Sequence, residues 1–594
     1  MSGIWRLASG KARGLPGENG SKAFVVCLIC GCAWVLAPAL LQAEAKVGFS
    51  EIMYHPVEEP VFNTNGLPAL DLSEDVHEYI ELYNWGTEAV PLSGWSVTGE
   101  VTFQFTNGPL LAPGGLVVVA GDPQHLLAVS AYGLSSDQVV GPWQGRLDNS
   151  GGTLTLRDVA GKTVESVTYS AKFPWPIGAD GLGAGEDWLG FPRSNCLYRG
   201  RSLERVSFGW PANDAANWVA SPLPGEPSPG HPNAIQRAVP KPVVVGLDVG
   251  QTDDGQRLIR RQKMVRVQCL FSSAAGLSGA RVEYFVDDLD RTNETRTSIA
   301  MLSVGEPTEG RFLADLPGQV DRAVVRFRIH ADLGEGDEVV SPRAGDPFAW
   351  HSYFVSPVRT RVNPAYDVFI SSRSLTALST NIAGGPTIAP DPPGRPRPSW
   401  NATEPAVFVA DGVVYDVRIR YHGSIYLRSP GRRSYHVAFP RYRRFDGRDA
   451  VLLSDKDATT QAGHAIFREV GLPIPLTLWI DLYLNKQAVL PRLQMDLYDE
   501  QTFERYYREQ VSQGLLPATS NPGSLYKAEG VFEASRGPYG PADGTRLPAR
   551  GTNWTALQRY QYTYGSQFTL AHLARIKAGD GLPPWRLSSG RGGG

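Results

Sequence analysis

The chain has 594 residues, which is enough for two to four domains with hydrophobic cores of their own. Its 57 Lys and Arg residues and 60 Asp and Glu residues give a formal net charge of -3, so the charge indicates neither nucleic acid nor an anionic membrane as the main partner. The 64 glycines and 46 prolines predict many turns, and the Val, Thr, Tyr and Trp residues between them predict a mainly β protein.

The N-terminus has the features of an export signal. A basic, polar leader precedes an apolar run at residues 23–41, and the run is followed by Ala43-Glu44-Ala45. This order is typical of a secretory signal peptide, so residues 1–45 are predicted to be cleaved off after Ala45. The mature protein is then expected to be secreted or held at the cell surface or envelope, without a membrane span. Two alternatives stay open: a single membrane anchor, because the run approaches spanning length, and a lipid attached at Cys32.

Residues 46–234 follow the pattern of short strands separated by turn residues. Residues 78–84 read Glu-Tyr-Ile-Glu-Leu-Tyr-Asn, an alternation that is typical of a strand with two different faces. Strands at this spacing predict a sandwich or a barrel. Five further motifs follow in order: Leu92-Ser93-Gly94-Trp95, Leu111-Ala112-Pro113-Gly114, Leu147-Asp148-Asn149-Ser150-Gly151, Ser202-Leu203-Glu204-Arg205 with Trp218, and Ser228-Pro229-Gly230.

With residues 78–84, these motifs resemble the lamin-tail domain in its bacterial form. The resemblance covers residues 46–234 and implies an immunoglobulin-like β-sandwich. Such modules mostly serve binding or assembly, so the resemblance implies a protein or cell-envelope component as partner and no catalytic role.

Two groups of residues in this module could bind a ligand, and each also has a purely structural interpretation. Glu78 and Glu81, with Asp71 or Asp75, carry the oxygen ligands that suit calcium in exported proteins. Such carboxylates more often cap turns or lie on a solvated strand face. Trp95 and the Trp at position 175 could form an exposed platform for a glycan, but packing in the core is the commoner use of Trp.

A Pro-rich linker at residues 222–242 separates this module from a second strand-rich segment. Residues 235–357 contain about seven alternating segments, which predict an immunoglobulin- or fibronectin-like sandwich. We expect this segment to act as a spacer that positions its neighbours and performs no chemistry.

Residues 365–575 change in character, with strands followed by a helix at residues 462–470 and another at 501–510. Their ordered motifs resemble the spore-coat CotH kinase family. The motifs are Arg418-Ile419-Arg420-Tyr421-His422-Gly423-Ser424, Arg433-Ser434-Tyr435, Phe445-Asp446-Gly447, Val470-Gly471-Leu472-Pro473, Leu482-Tyr483-Leu484-Asn485 and Leu525-Tyr526-Lys527. The resemblance implies the N-terminal portion of an α+β kinase-like domain that transfers phosphate from ATP to Ser or Thr of an exported protein.

Phosphoryl transfer needs cations for the nucleotide phosphates and carboxylates for magnesium. The resemblance makes four basic residues candidates for the phosphates: Arg420, Arg432, Arg433 and Lys527. Three acidic residues are candidates for magnesium: Asp496, Asp499 and Glu529. Each basic residue has a plainer interpretation as a solvated strand residue. ATP and Mg²⁺ are expected as cofactors only if this region is functional.

The acidic residues after Lys527 lack the context that the family's catalytic carboxylates have. The kinase-like region is therefore interpreted as incomplete, with no catalytic residue assigned, and residues 576–594 as a disordered tail. Three functions stay open: an exported surface or envelope protein with a binding or assembly module, an active secreted kinase of the CotH type, and an adhesin or carbohydrate-binding protein.

Overall fold

The computed structural model describes residues 46–56, 61–62, 68–69, 76–180, 201–221, 227–251, 258–291, 293–306, 309–383, 402–423, 428, 433–455, 458–489, 491–497 and 500–517. The predicted signal peptide and the predicted disordered tail lie outside these ranges. The described part is mainly β, as the composition predicts. Within it, no helix has both the length and the apolar content needed to cross a membrane.

The first sandwich is built from two sheets. Its strands are β1 (Val47–Met53), β2 (Val61–Phe62), β3 (Pro68–Ala69), β4 (Tyr79–Asn84), β5 (Val90–Pro91), β6 (Ser96–Gly99), β7 (Val101–Gln104), β8 (Leu110–Leu111), β9 (Leu116–Ala120), β10 (Val139–Val140), β11 (Gln144–Gly145), β12 (Gly151–Arg157), β13 (Thr163–Ser170), β14 (Leu203–Arg205) and β15 (Trp218–Ala220), and its helix is α1 (Pro123–Leu127). One main sheet has the order β10-β9-β4-β1-β14-β15 and the other β11-β7-β6-β12-β13, while β2 with β3 and β5 with β8 form separate two-stranded sheets.

The two sheets share a core because alternate residues of each strand point between them. Phe49 and Ile80 come from the first sheet, and Val97 and Leu154 come from the second. The first sheet is also covered on its outer face. There Tyr79 packs, with Met53 and Val118, against side chains from and around α1. Strands β1 and β4 are therefore buried on both faces.

The second sandwich also pairs two sheets. Its strands are β16 (Val244–Gln251), β17 (Val265–Phe271), β18 (Gly279–Val286), β19 (Thr297–Ala300), β20 (Leu302–Ser303), β21 (Arg311–Leu316), β22 (Val324–Gly334), β23 (Asp337–Ser341) and β24 (His351–Phe354). One sheet has the order β16-β17-β21-β20, and the other has the order β19-β18-β22-β23 with β24 beside β22. In β17, buried residues alternate with half-buried ones, which is the pattern of a strand with one core face.

The third part of the structure is a closed barrel with helices. Its strands are β25 (Ala365–Phe369), β26 (Glu404–Ala410), β27 (Val413–Tyr421), β28 (Tyr435–Ala438), β29 (Ala450–Ser454), β30 (Thr477–Leu484), β31 (Gln487–Ala488) and β32 (Arg492–Asp496), and its helices are α2 (Ser372–Ile382), α3 (Ala458–Glu469) and α4 (Glu500–Ser512). The order is β25-β26-β27-β28-β29-β32-β30, and β30 closes the barrel by pairing in parallel with β25. The kinase-like assignment of this region stays a prediction.

A two-residue turn joins β30 to β31. Asn485 and Lys486 both have positive φ, at 46° and 69°, and the flanking pair is Leu484 with Gln487. Glycine adopts this conformation without the steric conflict that a Cβ causes. Lys486→Gly is therefore expected to stabilise the barrel by about 0.5–1 kcal/mol, measured as a higher thermal midpoint. Lys486→Ala is the matched control, and an equal gain in both variants would contradict the explanation.

Two arginines, the buried Arg201 and the half-buried Arg343, link the second sandwich to the first. Arg343 donates hydrogen bonds from Nη1 to the carbonyl of Trp218 at 2.9 Å and from Nη2 to the carbonyl of Pro174 at 2.6 Å. Arg201 donates from Nη1 to the carbonyl of Gly345 at 2.7 Å. Burial lowers the pKa of Arg343 to about 10, so this side chain remains charged at neutral pH.

The second sandwich and the barrel share an apolar cluster and an ion pair between the buried Arg326 and the exposed Asp416. Val324 packs with Val407 and Val414 of the barrel. Beside this cluster, Arg326 donates from Nη2 and Nη1 to the two carboxylate oxygens of Asp416, at 2.6 and 3.0 Å. The three parts therefore contact one another in chain order through buried side chains.

Candidate functional site

Three glutamates lie side by side on the outer face of the first sheet of the first sandwich. In the strand register, Glu51 of β1 stands opposite Glu204 of β14 on one side and opposite Glu81 of β4 on the other. All three are at most 1% exposed. We call Glu51, Glu81 and Glu204 the glutamate row. Adjacent partners in a sheet have Cβ atoms about 5 Å apart, so the three carboxyl groups are close neighbours.

Hydrogen bonds from three parts of the chain hold the glutamate row. Oε1 of Glu51 accepts from the hydroxyls of Tyr79 and Ser202, each at 2.5 Å, and from the backbone N–H of Ser228 at 3.1 Å. Tyr79 and Ser202 belong to the sheet region, whereas Ser228 belongs to the segment that follows β15. Glu51 therefore ties this later segment to the sheet.

Glu81 makes a second connection of the same kind. Its Oε1 accepts from the hydroxyl of Ser50 at 2.6 Å, and its Oε2 accepts from the backbone N–H of Gly230 at 2.6 Å. Close by, Nδ2 of Asn233 donates to the carbonyls of Ser50 and Arg205, at 2.9 and 3.1 Å. We call residues 227–233 the clasp, because their backbone and side chains bond to the sheet at each of these points.

The electrostatics of the glutamate row favour protonated carboxyl groups. Burial, and then the neighbouring Glu51, raises the pKa of Glu204 to about 8. Burial, and then Glu51, raises the pKa of Glu81 well above its usual value. Burial also raises the pKa of Glu51, although its hydrogen bonds act in the opposite direction. Neighbouring buried carboxylates cannot all ionise without a large loss of free energy, so the row retains protons at neutral pH.

The row is part of no group of metal ligands among the residues that the structure describes. Within the described ranges, no group of three or more His, Cys, Asp and Glu side chains is placed to hold a metal ion. In the same ranges, Oε2 of Glu204 is a buried oxygen without a hydrogen-bond partner. The arrangement can donate and accept hydrogen bonds and can exchange protons.

Of the predicted calcium ligands, the two that the structure describes, Glu78 and Glu81, do not lie together. Glu81 belongs to the outer-face row, whereas Oε2 of Glu78 accepts a hydrogen bond from the backbone N–H of Leu147 at 3.1 Å. Glu78 and Glu81 are three positions apart along the chain, so they lie on opposite faces of the sheet. Asp71 and Asp75 lie outside the described residues. The interpretation of Glu81 as a solvated strand residue was wrong, because this side chain is fully buried. Its hydrogen bond from the backbone N–H of Gly230 lies in the turn from Ser228 to His231, which agrees with the interpretation as a turn cap.

The two candidate tryptophans do not form an exposed platform. Trp95 is 5% exposed and Trp175 is 9% exposed, and both belong to the core of the first sandwich. Trp175 packs against Trp218 with ring centroids 6.1 Å apart. The glycan platform was therefore wrong for these residues, and the core interpretation is the one that the structure supports.

The basic candidates of the barrel point in different directions. Arg420 stands opposite His436 in the register, while their neighbours Ile419 and Val437 belong to the barrel core. Arg420 therefore lies on the outer face of the barrel wall. Arg433 instead donates from Nη1 to the hydroxyl of the core residue Tyr421, at 2.5 Å. The predicted phosphate ligands Arg432 and Lys527 lie outside the described residues.

The acidic candidate that the structure describes is held by arginines. Oδ1 of Asp496 accepts from Nε of Arg448 at 2.6 Å, and its Oδ2 accepts from Nη1 of Arg505 at 2.7 Å. Asp496 therefore forms an ion-pair bridge between the barrel and α4. Asp499 and Glu529 lie outside the described residues. The assignments to magnesium and to the nucleotide phosphates stay predictions.

Sequence reasoning missed two members of the glutamate row and a buried histidine. Glu51 precedes the apolar Ile52 and Glu204 follows the apolar Leu203, each within a strand, and that placement was the available signal. In the barrel, His436 is 4% exposed and, within the described ranges, neither ring nitrogen has a hydrogen-bond partner. Burial, and then Arg420, lowers the pKa of His436 well below its usual value, so its ring is neutral.

Comparison with known proteins bears on the first sandwich. No curated protein matches the chain. A family model matches the segment that contains β1 to β13. Strand β14 lies beyond this segment but pairs with β1 in the same sheet. The first sandwich is therefore similar to the Lamin Tail Domain, whose family model matches residues 41–171, and the prediction of a lamin-tail module is confirmed for that segment.

Proposed function

We propose that the chain is an exported, multi-domain surface or envelope protein. Its first sandwich serves as a binding or assembly module, its second sandwich is a spacer, and its barrel belongs to a kinase-like region that is incomplete and inactive. The observation that carries this proposal is the contact of each part with the next through buried side chains. An arrangement of this kind holds the surfaces of successive domains at a constant spacing, which suits assembly.

The contacts at the first junction support a rigid connection. Arg343 of the second sandwich donates hydrogen bonds to the carbonyls of Pro174 and Trp218 in the first. Arg201 of the first sandwich donates to the carbonyl of Gly345 in the second. A guanidinium that bonds several carbonyls is held in one orientation, because each N–H of its planar fork has a defined direction. A flexible tether would not need such a buried contact.

The contacts of Asp496 in the barrel support the proposal that the kinase-like region is inactive. Magnesium ligation requires carboxylate oxygens that face the metal, whereas both oxygens of Asp496 bond to arginines. An arginine pair of this kind stabilises the fold and competes with a cation for the same lone pairs. We therefore expect no transfer of phosphate by this chain.

The kinase alternative is tested by incubating the purified full chain with ATP and Mg²⁺. We expect neither autophosphorylation nor a shift of the thermal midpoint on addition of ATP. The variant Arg420→Ala is the matched control for the candidate phosphate ligand. Magnesium-dependent phosphorylation that disappears in Arg420→Ala would show that the protein is an active kinase and that the present proposal is wrong.

Export and binding are tested on the tagged full chain expressed in a bacterial host. The mature protein is expected to begin at Lys46 and to be found in the envelope fraction or the medium. In the control variant Ala45→Arg, processing at this position should fail. A chain that keeps its leader and remains in the cytoplasm would contradict export, whereas a mature chain that fails to sediment saturably with isolated cell envelopes would contradict envelope binding.

A further inference from the structure

Helix α3 turns its polar side chains towards the protein. Gln461 accepts a hydrogen bond from Nε1 of Trp479 at 2.7 Å, and Nδ1 of His464 lies 3.1 Å from the carbonyl of Pro475. Arg468 donates from Nη1 to the carbonyl of Ile474 at 3.1 Å. Positions 461, 464 and 468 are three and four residues apart, so they form one stripe along the helix. This stripe faces β30 and the segment that precedes it.

The opposite side of α3 is apolar and exposed. Ile466 is 63% exposed and Phe467 is 50% exposed, and Val470, directly after the helix, is 67% exposed. Ala462 lies one turn before Ile466 and is also exposed. We call Ala462, Ile466, Phe467 and Val470 the apolar face of α3. A surface helix of a folded domain normally buries such a face, so its orientation here indicates a further contact.

Nearby apolar residues extend the same surface. Leu472, which follows the helix, is 45% exposed, and Leu478 of β30 is 43% exposed. Glu469 lies at the edge of the apolar face and is exposed. The surface therefore combines an apolar centre with one acidic side chain, Glu469, at its edge.

The chain continues from a point close to this surface. Helix α4 contacts the C-terminal end of α3, because Tyr506 donates from its hydroxyl to the carbonyl of Gly471 at 2.7 Å and Arg468 donates to Glu509 at 2.7 Å. The described residues end at Pro517, soon after Glu509. Residues 518–594 follow, and a chain of that length spans far more than the width of a helix.

One stretch of that continuation has the composition to cover the apolar face. Residues 568–576 read Phe-Thr-Leu-Ala-His-Leu-Ala-Arg-Ile, and no Asp or Glu occurs from residue 544 to residue 579. Arg575 and Lys577 provide positive charge beside the apolar residues, which complements Glu469. We propose that residues 568–576 of the same chain pack on the apolar face of α3. The inference is independent of the proposed export and binding functions.

Hydrogen exchange of the full chain tests this contact. The double variant Ile466→Lys with Val470→Lys is expected to increase exchange roughly tenfold in both residues 462–472 and residues 568–576. The control is Val362→Lys, a substitution at a fully exposed position before the barrel, which should change neither segment. Residues 568–576 that exchange at the rate of an unprotected peptide in the unsubstituted protein would overturn the proposal.

Disulfide trapping in the full chain provides the second measurement. A chain carrying Ile466→Cys and Leu573→Cys is expected to form an intramolecular bond under mild oxidation, whereas the pair Val362→Cys and Leu573→Cys is not. Mass spectrometry distinguishes this bond from an intermolecular one. A bond that forms only between two chains, with protection of α3 that depends on protein concentration, would show that a second copy covers the face and would overturn the proposal.

Discussion

Replacing Arg326 with methionine is expected to destabilise the second sandwich by about 3–5 kcal/mol, because the buried carboxylate of Asp287 loses its partner. The contact with the barrel should weaken less, because the side chain of Asp416 is 48% exposed and its ion pair is screened by solvent. The guanidinium bonds Asp287 through Nε at 2.8 Å and both oxygens of Asp416. Burial opposes the charge on Arg326, but Asp416 and Asp287 hold its pKa above the usual value. Methionine fills a similar volume yet leaves Asp287, whose side chain is 12% exposed, as a buried carboxylate without its partner.

The measurement is chemical denaturation of the full chain, followed as the midpoint of the transition that involves the second sandwich and the barrel. Arg326→Lys should lose part of the stability, because an ammonium group keeps the charge but not the planar fork. Adding Asp287→Asn to Arg326→Met should recover part of the loss, because the amide removes the unpaired charge. A midpoint for Arg326→Met equal to that of the unsubstituted chain would contradict the predicted role.

The first sandwich is expected to lose stability as the pH rises. The pKa of Glu204 is about 8 in the folded chain, against 4.5 for an ordinary glutamate, so the folded state holds its proton more tightly. The contribution of Glu204 to stability is therefore fully present below pH 4.5 and is lost as the pH rises through about 8. Linkage gives a loss on the order of 4 kcal/mol between about pH 5 and pH 9. Glu51 and Glu81, whose pKa values are also raised, act in the same direction.

Glu204→Gln provides the matched variant for this prediction. Glutamine has nearly the same shape but no charge, so the variant should be more stable than the unsubstituted chain at about pH 9 and nearly equal to it at about pH 5. Chemical denaturation of the full chain across this range measures the effect on the first-sandwich transition. Stability that stays constant or increases with pH would show that the carboxyl groups are ionised in the folded chain.

Local patterns were sufficient for many elements of the fold. The helix predicted at residues 462–470 agrees with α3, and the strand predicted at residues 78–84 agrees with β4. Both predictions rest on the spacing of apolar residues along the chain, which determines how a short segment pairs its backbone. The motifs of the lamin-tail module were recognised on the same local basis, and the family match supports that part.

The orientation of α3 could not be predicted from local sequence patterns. The periodicity of residues 462–470 predicts an amphipathic helix, and a core-facing apolar stripe is the ordinary expectation for such a helix. In the structure, Gln461, His464 and Arg468 face β30 while Ile466 and Val470 are exposed. Which side of a helix is buried depends on the neighbouring polar partners, and those partners are brought there by the fold.

The sequence by itself determined that the protein is mainly β, that its strands have two faces, and that residues 46–234 resemble a lamin-tail module, a resemblance that the family match supports for residues 41–171. Only the tertiary structure decided that Glu51, Glu81 and Glu204 meet in one row and that Asp496 pairs with arginines. The physical reason is that alternation along a strand assigns a side chain to a face of the sheet but does not say what covers that face. Residues far apart in the chain become neighbours only when the strands pair, and the pairing then sets their burial, their partners and their pKa values.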